Sequence, residues 1–426
     1  MDIAAGNGRG TGTSGVAPEA ELMFVQLAST DIPWEGPSVV GKSFGDSVQL
    51  LEALAFIFDQ AGTKPCAINV SLGTNGGPHD GTTLVEQGID SLVRQKPNRA
   101  VIIAASNSFA DGIHAQGTVP ANGQLDLPWR VGPLDFTDNE LEIWYGRAGR
   151  LEVELIDPSG TSVARVPVNK SGTVHAGNDI VVFIANRLDD PNNHDNTIGI
   201  FLSPEAAPGT WKVRLHNATG AATSFHAWIE RDDQGQSTFV PPLDNTHTLG
   251  SISCGHETIV VGSYDAHVAG APLSFFSSAG PTRDGRQKPE VSAPGHNVRA
   301  AASTTSTGTT RMSGTSMASP MVTGTAALLL AEAAARNRNL TSADIRKALL
   351  TSARHNPPNV AGWDPRYGFG RVSAKGAVSS VMQQPVTLIA AKLSPKRKAG
   401  VIRAAASTKA ATHAKKSKGR QAASRR

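Results

Sequence analysis

A change of hydrophobic period, made near residue 113 and reversed near residue 244, limits the folds open to this 426-residue chain. Before the change, helical spacing alternates with short apolar runs: a helix over 48–60, a strand over 67–72 (AINVSL), a helix over 82–94 and a strand over 100–105 (AVIIAA). Residues 20–27 alternate toward a further strand. Strands that are apolar throughout and separated by helices form a parallel sheet covered on both faces. After residue 244 the same character returns, with a strand over 258–262, a long helix over 316–336 and a second helix from Ser342 to about Ser352.

Between the two changes the helical period is absent. Short alternating segments occupy 141–145, 150–156, 179–184, 197–201, 210–215 and 224–229, separated by turn sequences such as Asp157-Pro158-Ser159-Gly160 and Ala218-Thr219-Gly220. A strand every dozen residues is the pattern of a β-sandwich or jelly roll. The expected architecture is therefore α/β, a mostly parallel sheet built from 1–112 and 244–385, with a β-sandwich inserted over 113–243.

Composition adds three restrictions. The net charge of +4 conceals a division: residues 392–426 hold 12 Lys/Arg and no Asp/Glu, leaving the remainder at −8. That Ala/Lys/Arg/Ser/Thr-rich tail, from 386 to 426, is predicted to be disordered. Its cations have no interleaved aromatics, so it suits sequence-independent phosphate contacts only and no specific nucleic acid. Cys66 and Cys254 are too few for a disulfide framework or a zinc site, and are read as free thiols, with one bridge as the alternative. No run of 18 apolar residues marks a membrane span, and the first 15 residues have neither the basic nor the apolar region of a signal peptide.

The chemistry concentrates at Gly314-Thr315-Ser316-Met317-Ala318-Ser319-Pro320. Gly314 permits a sharp turn, and Pro320 is tolerated near a helix start, where intrahelical N–H bonds are missing anyway. Ser316 then stands in the first turn, where free N–H groups and positive potential favour an oxyanion. Taken alone, a serine there is more often a simple N-cap.

This heptapeptide resembles the nucleophile motif of the subtilisin-like serine peptidases, the subtilases. In the order that family shows, the chain also has Gly15-Val16-Ala17-Pro18, Ile68-Asn69-Val70-Ser71-Leu72-Gly73, Ala104-Ala105-Ser106-Asn107, Phe276-Ser277-Ser278-Ala279-Gly280-Pro281, Lys288-Pro289 and Ala293-Pro294-Gly295. The resemblance implies a serine endopeptidase acting on proteins or peptides. Ser316 would be the nucleophile, with Gly314 and Thr315 as supporting motif. Asn107 would donate its side-chain N–H to the oxyanion beside the Ser316 backbone N–H. Ser71, Leu72 and Gly73 would pair with the substrate backbone as an added strand. No cofactor enters such chemistry. The Asp189–Asp195 loop offers the hard oxygen ligands that structural calcium takes, and a solvated turn has the same composition. Export is the family habit, so the resemblance implies a secreted full-length form.

A subtilase also needs an Asp and a His, in that order before the Ser. Here Met1–Ala5 resembles the last turn of the helix that bears the His, so both residues are expected upstream of Met1. His114, accompanied by Asp111, is the imidazole closest in sequence to Asn107, but its loop leads into the inserted segment. Two other functions follow from the same residues: a non-catalytic peptide-binding pseudoenzyme using the Ser71–Gly73 edge, or an anionic-surface binder acting through the tail.

Overall fold

In the computed structural model the described residues are 1–27, 47–232, 234–241, 243–303, 305, 307–355 and 362–383. They belong to one unit, Met1–Gln384; the basic tail, 386–426, lies outside the described residues. The chain opens with α1 (Asp2–Ala5) and continues through α2 (Ser47–Ala61), β1 (Cys66–Val70), α3 (Leu84–Arg94) and β2 (Arg99–Ala104). Thr83 caps α3 by accepting from the Glu86 N–H, the expected use of a threonine ahead of an apolar-periodic run.

There follow β3 (His114–Val119), β4 (Gly123–Val131), β5 (Asn139–Tyr145), β6 (Leu151–Ile156), β7 (Ser162–Val166) and β8 (Lys170–Ala176). Then come β9 (Asp179–Arg187), β10 (Asn196–Leu202), β11 (Gly209–Asn217), β12 (Thr223–Ile229) and β13 (Thr238–Phe239). The last part holds β14 (Ile259–Tyr264), β15 (Val291–Pro294), the hairpin β16 (Val298–Ala301) and β17 (Thr309–Met312), α4 (Thr315–Ala335), α5 (Ser342–Ser352) and α6 (Ala374–Gln383).

Four strands make the parallel sheet, in the order β1-β2-β14-β15. All six residues of β2 are buried, because alternate side chains feed different cores. Ala100 and Ile102 join Ala318, Val322, Ala326 and Leu329 of α4 on one face. Val101 and Ile103 join Leu54 and Phe58 of α2 and Ile89 of α3 on the other. A continuous apolar strand is thus the signature of helices on both sides. Helix α4 is long and apolar enough in composition to cross a bilayer, but 61% of that stretch is buried inside the protein. Gly324 lets α1 lie against it: a Cβ there would stand 2.7 Å from the Ala4 carbonyl oxygen and from Val16 Cβ.

Apart from the β16–β17 hairpin, the remaining strands form two antiparallel sheets, β3-β12-β5-β10-β9-β8 and β13-β4-β11-β6-β7. Residues from both, including Trp129, Ile143, Val153, Ile198, Trp211 and Phe225, share one apolar core.

Two differences from the sequence reading have physical causes. Residues 21–27 form no strand, and Leu22, Met23 and Phe24 are 54%, 41% and 67% exposed. Alternation prepares a strand, but a strand needs a hydrogen-bonded neighbour, and this segment pairs with none among the described residues. Conversely β8 (KSGTVHA) has no apolar face to announce it, with its residues exposed or half-buried; pairing with β9 alone fixes it. Both cysteines are free thiols.

Candidate active site

The site grows from the two turns that aim Asn107 and Ser316 at each other. Strand β2 ends at Ala104, and Ser106 then takes φ +84°, a left-handed conformation costing a non-glycine residue on the order of 1 kcal/mol. Ser278 holds it there: its N–H donates to the Ser106 carbonyl (3.1 Å), and its Oγ accepts from the Ser108 N–H (2.9 Å). The turn presents Asn107 to the start of α4. Its Oδ1 accepts from the Thr315 N–H at 2.9 Å and from the Thr315 hydroxyl at 3.0 Å. With Oδ1 so engaged, the amide Nδ2 is the group turned free, 3.5 Å from where a Cβ on Gly314 would stand.

Gly314 has φ +154°, and its N–H is tied to the Gly295 carbonyl (2.8 Å). Ser316 is therefore the second residue of a 21-residue helix, half-buried, and its N–H falls in the first turn, where the helix supplies no carbonyl partner. Its backbone carbonyl accepts from the Ser71 hydroxyl at 3.3 Å.

Strand β1 is registered against the same helix. Asn69 Oδ1 accepts from Ser319 (2.8 Å) and Thr323 (3.3 Å), while its Nδ2 donates to Ser71 Oγ (2.9 Å). Pairing between β1 and β2 stops at Val70–Ile103, so Ser71, Leu72 and Gly73 run on beyond it. Leu72 is 42% exposed, and Gly73 takes φ +145°, where a Cβ would strain the backbone.

The loop that follows is gripped by carboxylates from the antiparallel sheets. Glu230 accepts from the N–H groups of Asn75 (2.7 Å) and Gly76 (2.9 Å), and Glu142 accepts from that of Gly77 (2.9 Å). Burial, with Glu230 nearby, holds the Glu142 carboxyl above the usual range, against the opposing bonds from Trp144 and Gly77. Asn75 Oδ1 in turn accepts from Ser108, next to Asn107. A cavity of about 450 Å³ opens beside Asn107, lined also by Ser108, Asp111, Arg231, Asp232 and Gln236.

Not everything singled out in the sequence converges here. Among the described residues, no imidazole or carboxylate hydrogen-bonds the Ser316 hydroxyl. His114 is fully buried and turned to His226 (3.1 Å) and Asp244 (3.8 Å), not to Ser316. In the Asp189–Asp195 loop two of the three carboxylates already have side-chain partners: Asp195 pairs with Arg283 (2.6 Å), and Asp189 with Arg147 (3.3 Å) and the His194 ring (3.0 Å), while Asp190 accepts from the Asn192 N–H (2.9 Å).

Glu142, Glu230 and Ser278 were not legible as site residues. The first two occupy outward positions of period-two segments and look like solvated surface. Asn69, a polar residue inside an apolar strand, was the one available signal.

Comparison with known proteins gives the same direction. Residues 207–370 match the model of the subtilase family. The chain is similar to the serine protease AprX of Bacillus subtilis, 31% identical over 153 residues that make up 32% of each protein. It is similar to the C5a peptidase of Streptococcus pyogenes, 34% over 121 residues, 27% of this chain and 10% of that one. Pyrolysin of Pyrococcus furiosus is 42% identical over 81 residues, 19% of this chain and 6% of its own. Among solved structures, the CspB protease of Clostridium perfringens superposes with a TM-score of 0.70 at 25% identity, covering 80% of this chain and 71% of that one. The chain thus matches a third or less of the length of these curated relatives.

Proposed function

We propose, on its likeness to the subtilase family, that this chain serves serine-type endopeptidase chemistry, with Ser316 as the nucleophile. Ser316 Oγ attacks the scissile carbonyl, and the oxyanion is met by the Ser316 backbone N–H and by Asn107 Nδ2. The observation that carries this reading is the pair of bonds from Thr315 to Asn107 Oδ1. They hold the acceptor end of the amide on Thr315 and so leave its donor end, Nδ2, free for the oxyanion. A peptide would add as a strand along Ser71–Gly73, where pairing with β2 has ended. The cavity beside Asn107 would receive substrate side chains, and because Arg231, Asp232 and Gln236 line it, specificity would depend partly on the antiparallel segment. We read that segment, 113–243, as a jelly-roll-like sandwich inserted between the peptidase halves 1–112 and 244–385. The tail, 386–426, is assigned no catalytic part.

No group bonded to Ser316 among the described residues takes its proton, so the base and its orienting carboxylate are assigned outside them. In subtilisin, loss of the His lowers kcat about 2 × 10⁶-fold. This chain alone is expected to turn over peptides at a comparably depressed rate. No cofactor enters the steps, and structural calcium at the Asp189–Asp195 loop would first have to displace Arg283 from Asp195. A second reading, peptide capture without cleavage, is favoured by that same unpartnered hydroxyl.

Fluorophosphonate labelling, with imidazole added as an external base and adducts located by peptide mass, separates the readings. Endopeptidase chemistry requires an adduct at Ser316 that imidazole accelerates and Ser316→Ala abolishes. An adduct that survives Ser316→Ala removes the nucleophile assignment, whereas peptide binding with no adduct leaves the capture reading.

A further inference from the structure

Far from Ser316 in chemistry but joined to its loop by the backbone, three imidazoles meet: His114 on β3, His226 on β12 and His247 on the segment leading back toward β14. Their ligating nitrogens all lie within 4.8 Å of one another, the one such grouping among the described residues. We propose that they form a binding site for a divalent transition metal ion of the zinc type, a structural staple at the joint between the antiparallel segment and the parallel-sheet half.

The ring geometry is the first argument. Zinc holds imidazole nitrogens at roughly 2.05 Å, which puts ring centroids about 3.2 Å from the ion and, at tetrahedral angles, about 5.2 Å from each other. The three observed centroid separations are 5.4 Å, 5.3 Å and 4.8 Å. Nitrogens on such an ion stand about 3.3 Å apart. His114 Nε2 and His226 Nδ1 are already at 3.1 Å. Ring packing alone would not turn the nitrogens inward together.

Satisfaction of polar groups is the second argument. His114 is fully buried, and its Nδ1 has no hydrogen-bond partner. Asp244 Oδ1 lies 3.8 Å from that nitrogen. Ligation through Nε2 fixes the tautomer with the proton on Nδ1, directed at a carboxylate, the usual outer partner of a metal-bound histidine. Asp244 is itself held by the Thr246 N–H (2.8 Å), the Thr246 hydroxyl (2.7 Å) and Gln116 Nε2 (2.5 Å). Thr246 Oγ1 also meets His247 Nδ1 at 2.7 Å, leaving Nε2 of His247 for the ion. Three neutral nitrogens and one open position suit zinc, cobalt or nickel over calcium or magnesium, which take oxygen.

The joint gives the site a purpose. His247 donates its N–H to the Gly280 carbonyl, and Thr248 donates to that of Ala279, within the segment whose Ser278 braces Asn107's turn. Trp228, stacked between His79 and His226, donates its indole N–H to the His247 carbonyl.

The untagged chain, dialysed against zinc chloride and then metal-free buffer, is analysed for bound metal by mass spectrometry, and titrated with cobalt chloride while visible absorption is followed. One zinc per chain, and intense d–d bands of low-symmetry cobalt, are expected. His226→Gln with His247→Gln should weaken binding at least 100-fold while the metal-free circular dichroism matches the parent. His267→Gln, at an exposed position, should change nothing. Failure of the parent to retain zinc overturns the site, as does retention undiminished in the double variant.

Discussion

Asn107 Oδ1 receives both the backbone N–H and the hydroxyl of Thr315, the residue immediately before Ser316. One acceptor thus fixes the direction of the amide and the start of α4 together. Asn107→Asp keeps the acceptor but replaces the free donor with a second oxygen. Imidazole-assisted labelling of Ser316 should fall about 10²–10³-fold, the range known for loss of one oxyanion donor in subtilisin. Thr315→Val keeps the backbone bond and should cost only about 1 kcal/mol of stability with labelling nearly unchanged. Equal losses in the two variants would make Asn107 a mere helix brace.

Gly73 takes φ +145°, beyond the end of β1–β2 pairing. Gly73→Val places a β-branched residue where the backbone tolerates one poorly, and should distort the edge at a cost of about 1–3 kcal/mol. Affinity for a peptide aldehyde, read by fluorescence anisotropy, should drop at least tenfold. An unaltered affinity would place the peptide elsewhere.

Glu86 is buried at the first turn of α3, and burial pushes its carboxyl from 4.5 up to about 7, against the bonds it accepts from Thr83 and Cys254. The folded state therefore keeps a proton that the unfolded chain releases near pH 4.5. Between those values the folded state binds more protons, so this group lowers stability as pH rises from about 4.5 to 7, by on the order of 3 kcal/mol, and is level above. Glu86→Gln should flatten that part of the curve in urea unfolding at stepped pH. A slope identical to the parent's would show that another group is responsible.

Lys288, 3% exposed, donates to Glu290 (2.8 Å) and to the Thr258 carbonyl (2.7 Å), and burial holds its ammonium below the ordinary lysine range. Lys288→Met leaves the buried Glu290 carboxylate without its lysine, held by the Val260 N–H (2.7 Å) and Arg346 (3.2 Å). A loss of about 3 kcal/mol in denaturant unfolding is expected, since removing one partner strands the other charge. Lys288→Met with Glu290→Met should recover most of it.

The parallel sheet, its helices and the turn at Gly314 were legible because each rests on local pattern: apolar runs, helical period, a glycine before a serine. Ser316 and Asn107 could be singled out because each stands in a short local motif. Glu142 and Glu230 were not, since nothing local separates a carboxylate that grips a distant loop from one facing water. The same holds for His114, His226 and His247, which 112 and 21 residues of chain keep apart until β3 pairs with β12. Residues 21–27 show the opposite error, a pattern sufficient for a strand without the neighbour a strand needs.

The carboxylates of Glu142 and Glu230 close on bare N–H groups of Asn75, Gly76 and Gly77, so they read backbone, not side-chain identity. The loop is fixed along with the glutamates: a Cβ on Gly76 would stand 2.6 Å from Glu230 Oε2, Gly77 takes φ +107°, and the buried Asn75 side chain is bonded to Ser108. Exchanging β5, and Glu230 at the end of β12, for foreign sequence would carry away that grip, so the path of the chain beyond Gly73 is set from a sheet to which it does not belong.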